Sequence, residues 1–141
     1  MPFLLDTSAL FELTKRKPHG AFLDWLARQS AAETYIGAPS IGELDAGVLM
    51  LAASPKRTKL ERWLAELSAN FSERILPFDL AAARAWGVAL AAARVERRTL
   101  PILDSQLAAI AFTRRLTVVT RNLRAFQRAG FPGLAVVDPS S

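Results

Sequence analysis

Leu116-Thr117-Val118-Val119-Thr120 is the stretch on which the fold reading turns. β-Branched residues fill it, and branching at Cβ suits an extended, pleated backbone better than a helix. Working outward, Asp104 to about Arg114 reads as a helix before this strand, and Pro101 to Leu103 as the connector into it. After it, Asn122 to Ala129 reads as a short helix stopped by Gly130 and Pro132, and Leu134 to Val137 as a last strand. Upstream, Asp79 caps an alanine-rich helix from Leu80 to about Arg97, preceded by a weak strand at Arg74 to Pro77. Ser54-Pro55 starts a helix to about Ala69, with proline at the first helical position where its missing N–H costs nothing. Ser40 starts another helix to about Ala53, after a strand at Thr34 to Gly37 closed by Pro39. At the start, Phe3-Leu4-Leu5 reads as a short buried strand, followed by helices from about Ser8 to Lys15 and from Pro18 onward.

Strands separated by helices of this length pair in parallel through crossovers. The expected fold class is therefore α/β: a three-layer α/β/α sandwich with a small central parallel sheet. At 141 residues the chain is expected to form a single domain, residues 1–141. Ligands of such sheets bind outside the carboxyl ends of the strands, so chemistry is sought there.

Composition narrows that chemistry. The chain is 51% apolar and 22% charged, the profile of a folded domain. It has no cysteine and one histidine, His19, which excludes disulfides, thiol catalysis and multi-histidine or thiolate metal sites. His19 lies in a polar Lys-Pro-His-Gly stretch and reads as a solvated loop residue. Formal net charge is +5, and every basic residue after Lys59 is an arginine. Arginine forks onto phosphate with two donors, which favours a polyanionic partner; a general preference for arginine over lysine explains the same count. No signal segment is visible and no apolar run approaches a membrane span, so a cytoplasmic protein without membrane contact is expected. Phosphate-cradling glycine loops and a Gly-x-Ser-x-Gly elbow are absent.

What remains is carboxylates in suggestive places. Asp6 follows the first strand directly, in Leu-Leu-Asp-Thr-Ser, where it also suits a helix N-cap. Glu43 closes Ser40-Ile41-Gly42-Glu43, which has the spacing of a capping box. Asp104 follows Pro-Ile-Leu and also has the look of an N-cap. Thr120-Arg121-Asn122 ends the best strand with a hydroxyl and an amide.

Taken in order, Leu4-Leu5-Asp6-Thr7-Ser8, Ile41-Gly42-Glu43-Leu44, Leu76-Pro77-Phe78-Asp79, Ala85-Trp86-Gly87, Pro101-Ile102-Leu103-Asp104 and Val118-Val119-Thr120-Arg121-Asn122 resemble the PIN-domain ribonucleases, specifically the VapC toxins of toxin–antitoxin pairs. The resemblance covers nearly the whole chain. It implies a metal-dependent endoribonuclease in which Asp6, Glu43 and Asp104 are catalytic and bind the metal, Mg²⁺ or Mn²⁺. Thr7, Ser8, Thr120 and Asn122 would support the site. Arg94, Arg97, Arg98, Arg121 and Arg124 are candidates for holding RNA, each also readable as a solvated charge. Many relatives carry a fourth acid where Asn122 or Ala125 stands here. The implied partners are RNA, a cognate antitoxin and a second copy in a homodimer. Phe11, Phe22, Trp25, Leu49 and Trp63 are candidate groove residues for the antitoxin. The alternative is a catalytically weakened PIN protein that binds RNA or antitoxin, motivated by the missing acid. A phosphoacceptor domain would also cluster aspartates above a parallel sheet, but it needs a late lysine, and none follows Lys59.

Overall fold

The structure is a computed structural model that describes residues 1–140. Five strands, β1 (Phe3–Leu5), β2 (Thr34–Gly37), β3 (Ile75–Leu76), β4 (Thr117–Val119) and β5 (Val136–Val137), form one sheet in the order β3-β2-β1-β4-β5. Every pairing is parallel. The helices are α1 (Thr7–Glu12), α2 (Gly20–Ala27), α3 (Ala38–Leu49), α4 (Pro55–Asn70), α5 (Leu80–Val95), α6 (Ile102–Arg114) and α7 (Leu123–Gln127). The expected parallel α/β sandwich is what forms.

Period-two alternation distributes the central strands between two cores. Phe3, Leu5 and Val119 join Leu10, Phe22, Leu44, Val48, Leu64 and Leu67, so α1 to α4 cover one face. Leu4 and Val118 join Leu107, Ala108, Ile110, Ala111 and Phe126, so α5 to α7 cover the other. Buried Ala82, Ala89 and Ala93 let α5 lie close against α6, where the Trp86 indole N–H donates to Ser105 Oγ at 2.9 Å. The connection between these helices is short, and Asp79 at the start of α5 lies 3.5 Å from Arg114 at the end of α6. They therefore run antiparallel, and the C-terminal end of α5 meets the N-terminal end of α6. Arg115 ends α6 with φ 56°, a left-handed turn that releases the chain into β4.

Several boundaries differ from expectation. The first helix ends at Glu12, because Leu13 and Thr14 turn back by hydrogen bonds to Leu10 and Phe11. The third helix starts at Ala38, capped by Gly37, because Pro39 fits the first turn of a helix as readily as it closes a strand. The sixth helix begins at Ile102, with Pro101 in the cap position. No helix among the described residues is long and apolar enough to cross a membrane.

Candidate active site

Asp6 sits one residue beyond β1, the central strand, at the carboxyl edge of the sheet. Its backbone N–H continues the ladder to the Val119 carbonyl at 3.0 Å. The side chain is 1% exposed and serves as the N-cap of α1, with Oδ1 accepting the Ala9 N–H at 2.8 Å. Capping is only part of what holds it. Ser8 Oγ donates to both carboxylate oxygens at 2.8 and 2.9 Å, and Thr120 Oγ1 donates to Oδ2 at 2.5 Å. Each hydroxyl in turn accepts a backbone N–H from the loop after β4. Arg121 N–H donates to Ser8 Oγ at 3.0 Å, and Asn122 N–H donates to Thr120 Oγ1 at 2.8 Å. With those lone pairs taken, the hydroxyl protons are directed at the carboxylate.

Glu43 and Asp104 approach from α3 and α6. Thr7 Oγ1 donates to Glu43 Oε1 at 2.7 Å and lies 2.8 Å from the buried Ser40 hydroxyl. The expected Ser40–Glu43 capping box is absent, because both residues lie inside α3 and both engage Thr7. Asp104 is the third residue of α6 and caps nothing. Both acids are half-buried.

The electrostatics join the three acids. Burial pushes the Asp6 carboxyl up to about 6, against the hydrogen bonds from Thr120, Ala9 and Ser8, and the Asp104 charge adds to the rise. Burial also raises Asp104, and Glu43 raises it further. Among the described residues, none of the ion pairs involves any of the three. Three oxygen-bearing side chains share negative charge without a protein cation. That donor set fits a hard divalent metal such as Mg²⁺ and excludes a soft one. Among the described residues there is no ready-made cage of three such groups.

The other candidates divide. Asn122 is exposed, and its side chain makes no cap bond at the start of α7. Arg94, Arg97 and Arg124 are exposed, the first two at the end of the α5–α6 hairpin that also carries Asp104. Arg98 is committed elsewhere, to the Glu96 carboxylate at 2.5 Å and the Arg128 carbonyl at 2.9 Å. Arg121 turns its guanidinium toward Glu12, with Nη1 buried and 4.0 Å from Oε1. A cleft of about 670 Å³ opens beside Glu43, lined by Phe11, Met50, Leu103 and Gln106 among others. Of the candidate groove residues, Phe11 lines it and Leu49 is exposed nearby on α3, lining a second hollow against α4. Phe22 is fully buried, and Trp25 and Trp63 pack on the same core, because these rings fill the α1–α4 face rather than a groove. Glu12 was not singled out by sequence. Its signal would have been an acid ending the helix that Asp6 begins.

Comparison with known proteins fits this geometry. A family model described as the PIN domain matches residues 3–132. The chain is 31% identical over 137 residues to VapC ribonuclease Y4jK of Sinorhizobium fredii, covering 96% of each chain. It is equally similar, over the same shares, to Toxin FitB of Neisseria gonorrhoeae. The crystal structure of FitAcB from that organism superposes with a TM-score of 0.87 at 30% identity, covering 97% of each chain. With its all-parallel sheet and Asp6 buried at the carboxyl edge, the chain belongs to the PIN-domain family and is similar over nearly its full length to VapC and FitB toxins.

Proposed function

We propose that this chain is a VapC-type toxin that hydrolyses RNA phosphodiester bonds in the cytoplasm and is held inactive by a cognate antitoxin. The observation that carries the reading is the fully buried Asp6, raised to about 6 and coupled through Asp104 to Glu43, with no cationic partner among the described residues. Asp6 and Asp104 would hold Mg²⁺ or Mn²⁺, with Glu43 joining directly or through water. Such an ion, when bound, neutralises phosphate charge and lowers the pKa of water.

The protein's own contribution is positioning. Ser8 and Thr120 fix both oxygens of Asp6, and Thr7 fixes Oε1 of Glu43. Oε2 of Glu43 is then the oxygen left to take a proton from an attacking water. Asn122 can accept or donate a hydrogen bond at the strand end but adds no negative charge. Exposed Arg94, Arg97 and Arg124 supply phosphate contacts to the RNA backbone. The apolar cleft lined by Phe11, Met50 and Leu103 suits an antitoxin segment laid beside Glu43. Leu80, Val88 and Val95 remain exposed on α5 and suit a second copy in a homodimer.

The test is incubation of cellular RNA with antitoxin-free protein in Mg²⁺, Mn²⁺ or EDTA, beside Asp6→Asn and Asp104→Asn. Discrete fragments that need the metal and vanish in both variants are expected. A folded, metal-supplied wild type that cleaves nothing would sink the nuclease reading. It would leave a module that binds RNA or antitoxin, consistent with the missing acid at Asn122 and Ala125.

A further inference from the structure

The loop after β4 is tied to α1 at two points. Strand alternation sends Thr120 toward Asp6 and the next side chain, Arg121, to the opposite face, where α1 lies. There Arg121 meets Glu12, the last residue of α1, whose side chain is 4% exposed. Glu12 is fully engaged: Oε2 lies 2.6 Å from Lys15 Nζ, and Oε1 accepts the His19 N–H at 2.9 Å. Among the described residues the buried Arg121 Nη1 has no hydrogen-bond partner, and the Glu12 charge lies 4.0 Å away. The backbone N–H of the same arginine donates to Ser8 Oγ, which donates to Asp6.

We propose that Glu12 and Arg121 are positioning residues: their ion pair clamps the β4–α7 loop onto α1, so that the Arg121 N–H holds Ser8 and Ser8 holds Asp6. Arg121 is therefore not an RNA contact, although it follows the strand that ends at the site. A surface arginine reaching for phosphate would keep its guanidinium in water. This one, with its side chain 28% exposed, turns Nη1 inward toward a buried carboxylate, and removing that carboxylate would leave the inward nitrogen without its counter-charge. The consequence for catalysis rests on the nuclease reading above; the clamp itself does not.

Three measurements test it, using Glu12→Gln, Arg121→Gln and the double variant, with Arg121→Lys as a further probe that keeps the charge but loses the fork. The first needs neither metal nor RNA. Amide hydrogen exchange by NMR is expected to be about tenfold or more faster at Arg121 in Glu12→Gln, with Val118 and Val119 unchanged. Unchanged protection at Arg121 overturns the clamp.

The second is cleavage. Both single variants are expected to lose about ten- to a hundredfold in kcat with KM nearly unchanged, and the double variant no more than either. The third is RNA binding in EDTA against salt. The slope is expected to be unchanged in all variants; a slope lower by about one in Arg121→Gln alone would mark a phosphate contact and overturn the assignment. Normal kcat in both single variants of an active enzyme also overturns it. If the wild type cleaves no RNA, the nuclease reading fails and amide exchange still decides the clamp.

Discussion

The two ends of α1 each bury a carboxylate, and the protein treats them oppositely. Glu12 closes the helix with Lys15, the His19 N–H and Arg121 around it, and the Lys15 hydrogen bond leads in holding its carboxyl below the usual range. Asp6 opens the helix with hydroxyl and amide donors only, a second acid nearby, and a carboxyl raised to about 6. The donors around Asp6 orient it without neutralising it. Burial alone does not mark a reactive group; burial without a counter-charge does. One end of this helix finds its counter-charges within the protein, whereas at the other none of the described ion pairs reaches the carboxylate.

The sharpest break of the comparison is Asp6→Asn, which on the nuclease reading loses at least about a thousandfold in RNA cleavage while the fold persists. A gel-based cleavage assay with circular dichroism of the same sample checks both halves. Next comes pH. A carboxyl with an ordinary value of 3.8 that stands at about 6 when folded holds its proton better in the folded state. Its contribution to stability is greatest below 3.8 and is lost as pH rises through 6. Metal-free protein is therefore expected to lose about 3 kcal/mol between roughly pH 4 and pH 7 from this group, a loss absent in Asp6→Asn. Urea titrations in EDTA across that range measure it. Asp104 shifts the same way and adds to the slope.

The opposite sign is expected at the other end of the helix. Glu12→Gln is expected to destabilise by about 2 kcal/mol at neutral pH by stranding Arg121, where Asp6→Asn stabilises. Two variants that both unfold more easily would erase the contrast. Smallest is Lys15→Ala. Its side chain is 60% exposed, so a loss of at most about 1 kcal/mol is expected in the same denaturation.

The fold was legible where local pattern and tertiary role agree. Phe3-Leu4-Leu5 and Thr117-Val118-Val119 are buried on both faces, so their apolar runs show in the sequence without any partner. The edge strands β3 and β5 shrink to two residues each, because one neighbour provides half the pairing and the flanking residues turn away. At the site, Asp6 was visible by its place after a strand. Glu43 and Asp104 were ambiguous, since an acid near a helix start reads as a cap until the true first turn is known. Pro39 and Pro101 decide that, and proline fits both a strand end and a first helical turn. Glu12 was invisible. Followed by Leu-Thr-Lys-Arg-Lys, it has the composition of a solvated helix end, and its partner Arg121 lies at the far side of the chain. The proposed role of Arg121 beside Glu12 was hidden for the same reason: sequence shows its charge but not which face of the sheet receives it.

The sheet order places the first strand at the centre, between β2 and β4. Asp6 follows that strand directly, yet the hydroxyl and amide that complete its surroundings come from Thr120 and Arg121, the hydroxyl 114 residues further along the chain. No partial chain ending before that point contains the assembled site, whatever helices it has already formed. The donors around Asp6 thus come together only once the chain through Arg121 is in place, and a fragment released before that point lacks them.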